Sequence, residues 1–218
     1  IGVVGVRLQP LVEALKTKLL TEPILHADET PVAQLDPGAG KTKRAYLFAW
    51  RSAHTEPIVV FDYCPSRAGK HAQAFLGEWK GALMVDDYVG YKALFATGIT
   101  ELACWAHARR VFFDAHKASA SPLAEEALRR MGEFYAIAAT LRGLDDATRS
   151  IERKHRLGAW LAVFKHWLDA AQAQTLGNSG VRKAIEYTQR RWPALARVIE
   201  DDAYPIDRAI IVPSSQPT

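Results

Sequence analysis

The stretch Ile24-Leu25-His26-Ala27-Asp28-Glu29-Thr30-Pro31 constrains this chain more than any other. An apolar run rising to a polar tip is the pattern of a strand buried inside a sheet. Asp is a poor strand former, so an acid at such a tip needs solvent or a cation. An acid closing a strand before a Thr-Pro turn explains the octapeptide equally well. A second run, Ala82-Leu83-Met84-Val85-Asp86-Asp87-Tyr88-Val89-Gly90-Tyr91, favours the cation. If the two runs are neighbouring strands, their carboxylates meet at one edge and repel unless a cation sits between them. Hard divalent ions such as Mg²⁺ take oxygen ligands of this kind, and such pairs serve in-line displacement at phosphorus.

Periodicity predicts the elements around these runs. Leu8, Leu11, Val12, Leu15 and Leu19 give a helix over 7–20, with Pro10 in its first turn, where proline is tolerated. Asp36-Pro37-Gly38 opens a turn at 36–40. Strands are expected over 45–50 and 57–63, joined near 52–54. An amphipathic helix over 69–80, with Phe75, Leu76 and Trp79 on its apolar side, ends at a Gly81 cap. The Asp86 strand, a short strand at 101–103 and a helix over 105–118 follow. After Pro122, apolar residues recur every three or four positions, with breaks at 143–145 and 177–180. The expected class is α/β, with a three-strand meander, a helix and a fourth strand, then a C-terminal helical region. The expected parts are a helix at 1–21, a core at 22–118, a helical region at 119–204 and a frayed or truncated tail at 205–218.

Composition sets outer bounds. At 49% hydrophobic and 24% charged, the 218 residues can build a real core. No run of apolar residues is long enough to span a membrane. The apolar amino terminus lacks a basic leader, so no signal peptide is expected; a start without Met suggests a fragment or an altered start. Two cysteines give no disulfide framework, which points to a reducing, cytoplasmic setting. A net charge of +4 permits a nucleic-acid partner without demanding one.

Five motifs then occur in order: His-Ala-Asp-Glu-Thr-Pro-Val at 26–32, Lys43-Arg44-Ala45-Tyr46-Leu47-Phe48, Ser66-Arg67, Val-Asp-Asp-Tyr-Val-Gly-Tyr at 85–91, and Cys-Trp-Ala-His-Ala-Arg-Arg at 104–110. Together they resemble the central region of the insertion sequence 66 family of bacterial transposases, up to about Asp207. The resemblance implies an RNase H-like core of the DDE type, with a mixed sheet whose fourth strand lies parallel beside the first. It implies Mg²⁺ (or Mn²⁺) held by Asp28, Asp86 and a late Glu, and strand cleavage and transfer on DNA. Partners would be transposon-end and target DNA and, in a full-length context, further copies of the chain. Asp86 matches the family acid; Asp87 stands where the family has Gly, either perturbing the site or as a solvated neighbour.

Supporting residues follow from the same match. His26 shares a strand face with Asp28 and would sit either beside the scissile phosphate or packed as an ordinary strand histidine. Glu29 faces the other way and reads as structural. Cys104 and His107 lie three apart, but a structural zinc site wants four ligands, so the resemblance assigns them an ordering role. Arg67 and Lys70, with Arg109, Arg110 and Lys117, are either solvated charge or contacts to the DNA backbone.

The match fails at its end. A late Asn-Asn-x-x-Glu-Arg segment should carry the third acid, but the chain reads Pro205-Ile206-Asp207-Arg208-Ala209-Ile210-Ile211. Glu133, Glu152 and Glu186 remain, on what read as exposed helix faces. The reading is a truncated or degenerate transposase core, inactive alone. The alternatives are a catalytically dead DNA-binding or oligomerisation remnant, or an RNase H-like nuclease.

Overall fold

A computed structural model describes residues 2–38, 40–53, 57–175 and 177–207. His54 at the expected strand junction, and the tail from 208 onward, lie outside the described residues. The chain divides into two compact units, one running to Glu101 and the other over Leu102–Asp207.

The first unit opens with helix α1 (Gly2–Leu19). Pro10 therefore lies inside the helix, not in its first turn, and removes a backbone hydrogen bond there. Strands β1 (Ile24–Asp36), β2 (Lys41–Ser52) and β3 (Val59–Cys64) form the meander. Helix α2 (Lys70–Leu76) is shorter than expected and stops at Gly77, whose φ of 54° gives the chain its turn. Gly81 instead precedes β4 (Ala82–Val85), where a side chain would strike Trp79 and the Pro23 carbonyl. A short helix, α3 (Lys92–Phe95), leads to β5 (Thr100–Ala103).

The sheet order is β3-β2-β1-β4-β5. β1 is antiparallel to β2 and parallel to β4, and β2 is antiparallel to β3. This is the mixed α/β arrangement expected above, consistent with an RNase H-like sheet. Register and alternation gather Leu25, Ala27, Phe48, Trp50, Val60, Leu83 and Val85 on one face, and Ala72, Phe75, Leu76, Tyr91 and Leu94 cover it. Trp50 stacks on Phe75 at 4.5 Å, joining sheet to helix.

The expected Thr-Pro turn is absent. β1 runs straight through Thr30 and Pro31, which pair with Leu47 and Tyr46. Pairing with β4 stops at His26, so Pro31 sits where β1 has lost one neighbour, and a missing N–H costs least there.

The second unit is helical: α4 (Trp105–Ser119), α5 (Pro122–Leu141), α6 (Asp146–Glu152), α7 (Gly158–Ala173) and α8 (Gly180–Ala196). Ser121, Asp145 and Ser179 cap three of them by accepting a backbone N–H. A π-turn at Arg153–Leu157 joins α6 to α7. The core centres on Trp105, which packs on Phe134 at 4.7 Å and Trp160 at 5.4 Å and donates its indole N–H to the Leu195 carbonyl.

Candidate active site

The site begins where the sheet opens. β1 and β4 pair as Ile24 with Ala82, Leu25 with Leu83 and His26 with Met84. The last pair lies two residues before Asp28 on β1 and two before Asp86, which follows the end of β4. The crevice outside the carboxyl ends of parallel strands is where α/β sheets bind ligands. Beyond Val85 the chain turns away. The Asp86 carboxylate accepts the Tyr88 N–H at 3.0 Å, which holds the turn and keeps the acid at the edge.

Asp28 and Asp86 are half-buried, and both act on their surroundings. The buried Tyr91 hydroxyl is held well above its ordinary pKa by burial first, then by Glu29 with its hydrogen bond, and by the Asp86 and Asp28 charges. Tyr91 donates to Glu29 Oε2 at 2.6 Å. On its other oxygen Glu29 receives Arg67, whose Nε lies at 3.1 Å and whose Nη2 also donates. The Arg67 guanidinium lies 3.8 Å from the centre of the Tyr88 ring, and the Tyr88 hydroxyl donates to the Arg67 carbonyl. Backbones close over this clamp: a side chain at Gly69 would collide with the Gly90 carbonyl.

Burial raises the pKa of Glu29; the Tyr91 hydrogen bond opposes it, the Asp86 charge adds to it and Arg67 opposes it again. Burial works against the Arg67 cation, yet Glu29 and Asp86 outweigh it and its pKa is raised. Two carboxylates, Glu29 and Asp86, thus share one guanidinium. Asp87 is paired elsewhere, 3.7 Å from Lys92, which also holds Glu101 at 3.0 Å.

The oxygen donors of Asp28 and Asp86 fit a hard divalent cation. Among the described residues no group of three or more His, Cys, Asp or Glu side chains is disposed to share one ion. Glu133 and Glu186 are engaged on their own helices, by Arg129 at 2.5 Å and Arg182 at 2.8 Å.

The remaining predicted residues fall as follows. His26 is buried at 2% exposure on the Asp28 side of β1. Lys70 opens α2 and is exposed, and Arg67 is tied to Glu29. Cys104, His107, Arg109, Arg110 and Lys117 belong to the second unit. There Arg109 and Lys117 are exposed and Arg110 lies 4.0 Å from Asp114. The buried Cys104 thiol points at Asp207 Oδ1, 3.8 Å away. That oxygen also accepts the Ala106 N–H at 2.7 Å and the Tyr135 hydroxyl at 2.9 Å. Asp207 therefore caps α4 from a distant part of the chain. Burial first, then Asp207, lift the Tyr135 pKa.

Sequence reasoning missed two arrangements. One is the Glu29-Tyr91-Arg67 clamp; its signal was available, because Glu29 alternates with Leu25 and Ala27 on the core face and an acid there needs donors. The other is the role of Asp207, for which spacing offers no signal.

Fold and site together define a mixed-sheet α/β protein with an acidic edge at the carboxyl end of a parallel strand pair. Within that class, the family described as transposase IS66 family matches residues 1–210, and the chain belongs to that family. Relatives in Sinorhizobium fredii include uncharacterized protein y4qI, 30% identical over 99% of this chain and 43% of its own length. Another, uncharacterized protein y4jD, is 30% identical over 97% of this chain and 45% of its own. The chain thus spans less than half the length of these curated relatives.

Proposed function

We propose that this chain carries the catalytic sheet of a DNA transposase, with Asp28 and Asp86 holding one Mg²⁺ or Mn²⁺. Two observations support this reading: His26 and Met84, the last residues of the parallel β1–β4 pair, each lie two positions before one of the acids, and the charges of both acids reach the Tyr91 hydroxyl. A bound divalent ion supplies Lewis-acid polarisation of a phosphoryl oxygen and lowers the pKa of water. Asp28 and Asp86 would hold it through their carboxylate oxygens. Glu29, held by Arg67 and Tyr91, fixes β1 next to Asp28, and the Tyr88 N–H fixes the Asp86 carboxylate. In hydrolysis a water oxygen attacks phosphorus and gives up a proton while the P–O3′ bond breaks and the departing 3′-oxygen takes up a proton from solvent. In strand transfer a 3′-hydroxyl takes the place of water. The same reading places the protein in the cytoplasm with its DNA, as one of several copies in a full-length assembly. Among the described residues no helix is long and apolar enough to cross a membrane.

In a second reading the chain is a catalytically dead DNA-binding or oligomerisation module. Manganese binding measured by water-proton relaxation separates the two. The expected outcome is weak binding by the 218-residue chain, lost in Asp28→Asn and in Asp86→Asn. Binding that survives both substitutions removes the proposed site. Cleavage assays on duplex DNA and on an RNA–DNA hybrid complete the test, since cutting of the hybrid alone points to a nuclease instead.

A further inference from the structure

β3 pairs with β2 only over Tyr46–Arg51, and β4 pairs with β1 only as far as His26. The rest of β1 and β2, from Val32 paired with Ala45 out to Asp36 paired with Lys41, is therefore a two-stranded ribbon standing beyond the sheet. Its outer strand, Lys41-Thr42-Lys43-Arg44, is exposed throughout. In register Lys41 lies opposite Asp36, but Lys43 and Arg44 lie opposite the uncharged Gln34 and Ala33. A shallow hollow of about 260 Å³ runs along the ribbon, lined by Pro31, Val32, Ala33, Thr42, Lys43 and Arg44.

We propose that this ribbon is a backbone-contacting arm for duplex DNA, with Lys41, Lys43 and Arg44 each meeting a phosphate. The inference rests on the reading of Asp28 and Asp86 as a phosphoryl-transfer site, and it says where the flanking duplex lies. Six residues separate Asp28 from Gln34, the partner of Lys43; at about 3.3 Å per residue that is about 20 Å. A duplex with a phosphate at Asp28 passes Lys43 about six base pairs away, at about 3.4 Å per pair. Two-stranded ribbons twist strongly, which lets one follow a groove or backbone. The acidic edge repels phosphates, so positive charge must come from nearby surface, and the ribbon is continuous with the strand that carries Asp28. Lysines on an open ribbon also discourage strand-to-strand association. That role alone predicts aggregation on neutralisation with DNA affinity unchanged.

The test is fluorescence anisotropy with a labelled duplex, titrated between about 50 and 200 mM salt. The triple variant Lys41→Gln, Lys43→Gln, Arg44→Gln should bind about 10- to 100-fold more weakly, with the salt slope reduced by about 2 to 3. Lys41→Arg with Lys43→Arg should keep the wild-type slope. Circular dichroism should show the same melting for all three proteins, because the side chains are exposed. A triple variant with wild-type affinity and slope overturns the proposal, as does a wild type that ignores duplex DNA. Manganese binding at Asp28 and Asp86 is a separate readout: its loss with the salt effect intact removes the site and leaves the arm.

Discussion

Asp86 and Asp207 are both half-buried acids that accept a backbone N–H, yet they serve their units differently. Asp207 is surrounded by donors of the helical unit: Ala106 N–H at 2.7 Å, the Tyr135 hydroxyl at 2.9 Å and the Cys104 thiol at 3.8 Å. Asp86 has Tyr88 N–H at 3.0 Å, and its wider surroundings include Glu29 and Tyr91 alongside Arg67. An acid ringed by donors stabilises the folded chain. An acid set beside other acids at a strand edge is suited to a cation instead. The nearby Asp202 follows the pattern of Asp207, held by Arg149 at 2.7 Å and Arg153 at 3.5 Å.

The largest expected effect falls on the acidic edge. In a full-length transposase carrying this core, Asp28→Asn and Asp86→Asn should each lower strand cleavage by at least about 100-fold, a typical loss when one electrostatic contributor to a transition state goes. Neither should lower the melting temperature of the isolated chain, since each removes a like-charge neighbour. A variant that melts earlier while still cleaving would show that Asp86 works as Asp207 does.

Asp207→Ala tests the other side. It removes the cap from α4 and strands the Tyr135 hydroxyl, so chemical denaturation should show a loss of about 1–3 kcal/mol. Manganese binding at Asp28 and Asp86 should stay at the wild-type level. A loss of that binding with stability intact would erase the distinction between the two acids.

How far the sequence revealed this contrast depended on distance along the chain. The Asp28 and Asp86 runs announced themselves because strands bury continuous apolar residues, and the three-strand meander followed from turn residues such as Asp36-Pro37-Gly38. The length of β1 did not show. Thr30-Pro31 reads locally as a stop, and only the loss of the β4 partner after His26 makes proline tolerable there. Helix breaks at Gly143 and Gly177 were visible from composition. The π-turn at Arg153–Leu157 was not: Arg153 bridges to the Val198, Asp202 and Tyr204 carbonyls, some 45 residues or more away. Asp207 was likewise invisible, because a cap donated from a hundred residues off leaves no periodic trace.

A smaller effect concerns Glu29, which lies between the two behaviours because it is buried among donors and yet beside Asp86. Burial, partly countered by Tyr91 and then reinforced by Asp86, holds its folded pKa above the ordinary 4.5. A raised folded value means that the contribution to stability is complete below the unfolded pKa and is lost as pH rises through the folded one. Stability measured from pH 4 upward should therefore carry a declining component that Glu29→Gln lacks. A variant whose pH profile overlays that of the wild type would show that the Arg67 and Tyr91 bonds, not burial, set this acid.

The smallest effect is expected next door, at Asp87. Its carboxylate lies 3.7 Å from Lys92, whose side chain is 45% exposed, and such a pair is worth no more than about 1 kcal/mol. Asp87→Asn should shift manganese affinity by less than about 3-fold and leave stability within about 0.5 kcal/mol of wild type. Asp87→Gly adds backbone freedom and should cost about 0.5–1 kcal/mol more, still without touching the ion. If Asp87→Asn weakened manganese binding as strongly as Asp86→Asn, both acids would belong to the edge, and the line between structural and functional carboxylates would have to be drawn after Asp87.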